Sequence, residues 1–227
     1  MESASQPTVS NETIAATYDR FASLYDWFVA PMEARTRQRA LDLLSIAPSE
    51  RIVELGCGPG YGLVSLAGFL DQTGHVVGLD AAPGVLDRSR SRAMRPAVSE
   101  RIDLVLGDAR SLPIAEDSVA VIFIEDTLEL FSRGEIRAVL QECKRVLTPD
   151  GRVGVITMER ETVENDPFIR AYEWVFDHVP GYERIGCRPI YARQALEAAG
   201  FTIERREHHR RGYIWPVEIL IGHPTCE

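Results

Sequence analysis

The sequence predicts an α/β fold of the doubly wound class: a mostly parallel sheet with helices on both faces, closed by an antiparallel pair of strands. Three observations carry this expectation. Short apolar runs and helical patterns alternate from residue 51 to residue 157, the rhythm of right-handed crossovers between parallel strands. The first of those runs breaks into a glycine-rich turn, RIVELGCGPGYG at residues 51–62. The last two runs are joined by a linker too short for a parallel crossover, so they should pair antiparallel. At 227 residues the chain is long enough for one substantial domain and short for two.

Taken in order, residues 1–11 are polar and read as a disordered tail, and residues 12–227 as a single domain. In ETIAATYDRFASLYDWFVAPMEA, Ile14, Tyr18, Phe21, Tyr25 and Phe28 recur at helical spacing, which predicts an amphipathic helix ending near Pro31. A second helix is expected over 34–46, closed by Ala47-Pro48, so that residues 12–47 form an N-terminal helical part. Strands follow at 52–55, 75–79, 102–106, 119–124 and 152–157, with helices at 61–70, 84–94 and 134–147. The turn into the fifth strand is Pro149-Asp150-Gly151. Residues 158–190 are charged and aromatic, with Phe168, Tyr172, Trp174, Phe176 and Tyr182, and fit an inserted helix and loop over the sheet edge. A helix at 190–199 with Gly200 at its C-terminal cap precedes the final strands at 201–207 and 217–222.

Composition narrows the function. A formal net charge of −9 argues against non-specific binding to nucleic acid, which needs a positive field. Of the 25 basic residues only Lys144 is a lysine, a skew that fits either genome composition or a salt-rich environment. Cys57, Cys143, Cys187 and Cys226 show neither metal-ligand spacing nor a C-x-x-C pair, so no metal is expected and a reducing, cytoplasmic location is. The N-terminus has no apolar targeting core, and no run approaches the roughly 18 apolar residues of a membrane span. Peripheral membrane contact stays open, as does the choice between monomer and homodimer.

Four places line up at the carboxyl ends of strands, where open α/β sheets bind ligands. Glu54 precedes the loop Gly56-Cys57-Gly58-Pro59-Gly60, whose glycines let a ligand approach the backbone. Asp80, followed by Ala81, ends the second strand about 20 residues on, where a carboxylate accepts from ribose hydroxyls. Asp108-Ala109 follows the third strand, and a carboxylate there can accept from an exocyclic amino group. Glu125-Asp126 ends the fourth. Together they describe an adenosine-bearing cofactor. A nicotinamide dinucleotide fits poorly, because counting G-x-G-x-x-G from Gly56 puts the third glycine at Tyr61, and no Tyr-x-x-x-Lys pair exists.

The texts VELGCGPGYG, VVGLD, GDARSLPIAEDSV and RVLTPDGRV, in this order and spacing, resemble the class I S-adenosylmethionine-dependent methyltransferases. The shorter TYDRFASLYDWF resembles the lid helix of the ubiquinone/menaquinone C-methyltransferases and of some phospholipid N-methyltransferases. The resemblance implies a Rossmann-like, seven-stranded sheet with an antiparallel C-terminal hairpin, S-adenosyl-L-methionine as cofactor and S-adenosyl-L-homocysteine as product. By position it assigns Glu54, Gly56, Cys57, Gly58 and Gly60 to the methionine portion, Asp80 and Ala81 to the ribose, and Asp108 with Ala109 to the adenine. Tyr18 and Tyr25 would close a lid, and residues 158–190 would face the acceptor.

Two departures bear on the acceptor. Ser118-Val119-Ala120 stands where relatives often have S-F-D, and IEDTLELF places two carboxylates where many have small or neutral residues. The acceptor implied is small or lipid-like, first a quinone-precursor ring carbon, with a phospholipid amine or a secondary metabolite behind it. Glu125, which also borders the cofactor, and His178 are the foremost candidate bases, followed by Asp126 and His208-His209. A protein that binds the cofactor without turning it over is the alternative of another class. Nucleic-acid methylation is disfavoured, since no N-P-P-Y-type motif follows the fourth strand.

Overall fold

Ile52, Val53 and Leu55 are buried along β1 (Arg51–Leu55), the pattern of a strand covered on both faces. The computed structural model describes residues 30–95, 98–163, 166–179, 188–212 and 214–225. Its other strands are β2 (His75–Asp80), β3 (Ile102–Leu106), β4 (Val119–Glu125), β5 (Leu147–Met158), β6 (Phe201–Arg211) and β7 (Trp215–Pro224). The helices are α1 (Ala30–Leu44), α2 (Tyr61–Ala67), α3 (Pro83–Ala93), α4 (Arg133–Val146), α5 (Pro167–His178) and α6 (Ala192–Ala198).

One seven-stranded sheet results, in the order β3-β2-β1-β4-β5-β7-β6. The first five strands pair parallel, whereas β7 runs antiparallel to both β5 and β6. The chain winds outward from β1 to β3, then returns to place β4 on β1's other side, with Leu55 opposite Ile124. The crevice at that reversal lies at the carboxyl ends of β1 and β4, the position for a ligand in such sheets. One face buries Ile52, Val121, Phe123, Ile156 and Ile219 against Leu41, Leu44, Leu63 and Leu66. The other buries Val53, Ile122, Ile124, Val155 and Leu220 against Val139, Leu140, Cys143 and Leu196.

Local chemistry explains the helix ends. Ser132 caps α4: its Oγ accepts from the Glu135 N–H at 3.4 Å, while Glu135 Oε2 accepts from the Ser132 N–H at 2.9 Å. Ile136, Val139, Leu140, Cys143 and Val146 then form its buried stripe. In α5, Asp166 accepts from the Phe168 N–H at 2.8 Å and Pro167 opens the helix. Phe168 and Tyr172 meet the Trp215 ring edge-on, with centroids 5.2 and 5.0 Å away, beside Met158.

Several expected boundaries shift for identifiable reasons. α1 starts four residues earlier than the 34–46 pattern, because Pro31 stands in its first turn, where a missing N–H costs no bond. Pro31 therefore opens this helix; the amphipathic segment expected before it, and the tail 1–11, lie outside the described residues. Along β5 the ladder jumps from the pair Val119–Leu147 to Val121–Arg152, so the Pro149-Asp150-Gly151 turn bulges out between them. The last two strands run longer than 201–207 and 217–222. The charged end of β6 beyond residue 207 does not read as a strand, but the strand's charges are paired: Arg206 donates to Glu218 of β7 at 2.8 Å, and Glu207 pairs with Arg39 of α1.

These pairs make stability depend on acid. Arg193 and Arg206 both donate to Glu161, at 2.6 Å each, and hydrogen bonding from Arg193 first holds that carboxyl down at about 2 against an ordinary 4.5. A carboxylate depressed in the folded state stabilises above its unfolded pKa and loses that contribution as pH falls through its folded value. Glu161→Gln should therefore melt below the parent protein at pH 7. The gap should close between pH 4.5 and about 2, as thermal melts across that range would show; a constant gap would contradict the assignment.

Candidate active site

The turn after β1 is built from residues without side chains where neighbours press closest. Gly56, Gly58 and Gly60 have φ of 66, 52 and 85°, a region that L side chains rarely adopt. Gly56 also lies under Thr127 from the β4 turn, whose Oγ1 a Cβ at Gly56 would meet at 2.3 Å. The Gly56 and Cys57 N–H groups donate to Leu79 O at 2.8 and 3.1 Å, folding the loop back onto β2. Cys57 is buried with its Sγ 3.8 Å from Ser89 Oγ, and burial pushes its thiol far above the ordinary range. It is a packed residue of the loop rather than a reactive one.

Glu54 is 3% exposed. A Cβ on Gly62 would stand 1.9 Å from Glu54 Oε1, so the carboxylate occupies the space where α2 lacks a side chain. Its Oε2 has no hydrogen-bond partner among the described residues. Burial drives the pKa of Glu54 well up, Glu125 and Asp80 adding to the rise while Arg37 opposes it. An orphaned buried carboxylate oxygen at the mouth of a glycine loop fits the ammonium group of an amino-acid ligand.

Asp80 faces the same loop. Its Oδ2 accepts from the Gly58 N–H at 3.0 Å and Oδ1 from the Ala82 N–H at 2.9 Å. Burial raises its pKa and these backbone donors pull it back. Each oxygen keeps a further lone pair for a hydroxyl. Ala81 beside it is exposed. The Gly107 N–H donates to Asp80 O at 3.0 Å, so the turn after β3 starts next to this residue. Asp108, however, is engaged by Arg110 through Nη2 at 2.6 Å, an interaction that holds its carboxyl below the usual range. Ala109 is buried in the core.

Glu125 and Asp126 are not free carboxylates. Arg37 Nε of α1 donates to Glu125 Oε2 at 2.5 Å and Arg37 Nη2 to Glu33 at 3.3 Å. Arg211, at the end of β6, donates to Glu125 Oε1 at 3.2 Å through Nη2 and to Asp126 through Nη1. Burial raises the Glu125 pKa; Arg37 and Arg211 pull it down, Asp126 and Glu33 push it up. One carboxylate oxygen each from Glu33, Glu125 and Asp126 lies within 4.8 Å of the others, a set that could hold a cation. Glu33, Arg37 and Arg211 escaped sequence reasoning because they come from distant elements. The signal was the doubled carboxylate of IEDT, which called for cations from elsewhere. Glu129 was missed too: it is buried, accepts from Thr157 Oγ1 at 2.8 Å and from the Met158 N–H at 3.3 Å, and burial raises its pKa.

The structure thus brings Glu54, the glycine loop, Asp80, Glu125 and Asp126 to one end of the sheet, at the carboxyl ends of β1, β2 and β4. The histidines take other roles. His178 lies exposed on α5, with Nδ1 2.8 Å from Trp174 O and its ring stacked on Trp174. His208 Nδ1 is 2.9 Å from Glu159, and His209 Nε2 is 3.1 Å from Glu207. Tyr18 and Tyr25 lie outside the described residues.

Comparisons agree with this geometry. Residues 52–151 match the family model described as a methyltransferase domain. The 2-phytyl-1,4-naphtoquinone methyltransferase of Trichormus variabilis is 26% identical over 205 residues, 88% of this chain and 87% of that protein. The bifunctional biotin-biosynthesis protein BioHC of Cellvibrio japonicus is 30% identical over 193 residues, 85% of this chain; the match spans 36% of that longer protein. Among solved structures, the geranyl diphosphate C-methyltransferase of Streptomyces coelicolor, in complex with Mg2+, geranyl diphosphate and S-adenosyl-L-homocysteine, superposes with a TM-score of 0.67. It is 14% identical, and the match covers 85% of this chain and 79% of that one. With the sheet order, the glycine turn and the acidic strand ends already placed, residues 52–151 form a methyltransferase domain of the class I, S-adenosylmethionine-dependent kind.

Proposed function

We propose that this enzyme methylates a small or lipid-like acceptor, with a quinone-precursor ring carbon as the foremost candidate. The observation that carries the reading is the aromatic cluster of Phe168, Tyr172 and Trp215 around Met158. Met158 and Trp215 stand at the same end of the sheet as Glu54, Asp80 and Glu125, because β5 is parallel to β1 and β7 antiparallel to it. An apolar, aromatic wall beside a cofactor cradle suits a flat hydrophobic acceptor. The naphthoquinone enzyme among the relatives supports the same choice. Among the described residues no helix is long and apolar enough to cross a membrane, so a lipid-like acceptor would be met from the membrane's surface or in solution.

The cofactor supplies a methyl group activated on a sulfonium. In this reading Glu54 and the glycine loop hold the amino-acid portion, Asp80 the ribose, and the Asp108-Ala109 turn the adenine. Asp108 would share its carboxylate between Arg110 and the ligand. The protein's contribution is alignment and exclusion of water, effects worth roughly 7–11 kcal/mol in well-oriented systems. Where the acceptor carries a proton that must leave, a Glu125 carboxylate oxygen would take it, since burial has raised its affinity for protons. His178 is the weaker choice, being exposed and bound to its own helix.

Two measurements test this reading. A methyl-transfer assay on a panel of demethylated quinols, phospholipid amines and phenols should give highest turnover with a prenylated or phytylated quinol; turnover confined to the amines would move the acceptor to that class. Asp80→Ala should weaken S-adenosylhomocysteine binding by roughly 10–100-fold, the equivalent of losing a charged acceptor worth about 1.5–3 kcal/mol. Unchanged affinity by calorimetry would remove Asp80 from the ribose site.

A further inference from the structure

The two edges of the sheet differ in how they meet other chains. β6 is charged from Glu204 to Arg211, and its ladder with β7 shifts register between Ile203 and Arg205. Charge and a break in register both discourage a further strand from adding there. β3, at the opposite edge, pairs with β2 in unbroken register from Ile102 to Leu106. Among the described residues no strand lies on its other side. Its text is IDLVL, and its one charge, Asp103, is turned back to β2, where His75 Nε2 lies 2.8 Å away. The Gly107 N–H points at β2, donating to Asp80 O. Alternation along the strand then turns the N–H and C=O groups of Ile102, Leu104 and Leu106 outward. These three side chains share the face covered by α3, where Ile102 and Leu104 pack with Leu86 and Ala93. Leu106 is left 59% exposed, and Met94, just past the end of α3, 71%. Ser89 and Arg92 of α3 turn inward and donate to Gly58 O and Pro59 O of the glycine loop. The exposed residues Asp87, Arg90 and Met94 therefore stand on the opposite flank, toward the free side of β3.

We propose that β3 is a dimer edge: a second copy of this chain adds its own β3 antiparallel about a two-fold axis at Leu104, joining two sheets into one. The edge is complementary to itself under that operation. A two-fold axis exchanges the ends of the strand. α3 runs back against β3, so Met94 lies at the strand's amino end and Leu106 at its carboxyl end. The exposed Leu106 of each copy thus comes to the exposed Met94 of the other, and both lose contact with water. The outward backbone groups match as well: Leu104 pairs with its own counterpart, and Ile102 with Leu106, as hydrogen-bonded pairs. Asp103 falls opposite Val105 rather than opposite itself. Five residues of strand edge fall short of the roughly 800 Å² per partner that a standard interface buries. The outer flank of α3 supplies the remainder, its Arg90 held to Asp87 at 2.8 Å. An interface of this modest size suits a dimer that dissociates in the micromolar range.

Sedimentation velocity across a concentration series tests this. Between about 1 and 100 micromolar the protein should pass from monomer to dimer, with a Kd on the order of 10 micromolar. Leu106→Lys and Met94→Lys, one at each end of the contact, should each weaken the dimer by about 10-fold or more. Both side chains are exposed in the single chain, so the dilute variants should melt with the parent. Ile214→Lys, which changes an exposed apolar residue between β6 and β7, should leave the dimer as it is. A parent that stays monomeric up to about 100 micromolar would overturn the proposal and leave the edge to a chain of another kind. A dimer that neither Leu106→Lys nor Met94→Lys weakens, or that Ile214→Lys weakens as much, would overturn it too.

Discussion

The site depends on one close approach: the Glu54 carboxylate lies where Gly62 has no side chain, its Oε1 1.9 Å from where a Cβ would be. Any other residue at 62 must push the carboxylate out or α2 away from β1. The same economy of space recurs at Gly56, which lets Thr127 of the β4 turn rest on the loop. These contacts draw the ends of β1 and β4 together at the reversal of the sheet. They also leave Glu54 buried with one oxygen unpartnered among the described residues. Such a carboxylate is costly until something positive meets it. The fold carries that cost at the point where a cationic ligand can offset it.

A second layer of charge holds the outer elements to this centre. Arg37 reaches from α1 to Glu125 at the end of β4, and Arg211 reaches from the far edge of the sheet to Glu125 and its neighbour Asp126. Removing either guanidinium would leave Glu125 buried with fewer partners, a change expected to be strongly destabilising in such sites. The N-terminal helix and the C-terminal hairpin are thereby coupled to the state of Glu125. The remaining ion pairs of β6, among them Arg39–Glu207 and Arg206–Glu218, tie a strand of low apolar content to its neighbours. They also cover a sheet edge with charge, which discourages pairing with other chains.

Much of this was legible before any coordinates. The alternation of apolar runs and helical patterns placed β1 to β5 within a residue or two, apart from the start of β5, because buried parallel strands read as short continuous apolar stretches. The short linker foretold the antiparallel hairpin. The loop glycines and Asp80 announced themselves through spacing. What escaped were interactions between distant parts: nothing in the text of α1 links Arg37 to Glu125, 88 residues on. Asp108 was legible as an acidic strand end but not as a partner of Arg110, two residues away and equally able to face solvent. The length of β6 was hidden because its charges are satisfied by pairing, which residue type alone does not reveal.

The most direct test is calorimetry of the protein and of Gly62→Ala with S-adenosylhomocysteine, with NAD as control. If the space beside Glu54 organises the cofactor cradle, the parent should bind the homocysteine ligand at micromolar concentration and ignore NAD. The variant should keep a cooperative melt yet lose roughly 10-fold or more in affinity, as expected when a buried charged contact is displaced. Equal affinity of the two proteins, or binding of NAD by either, would contradict the account.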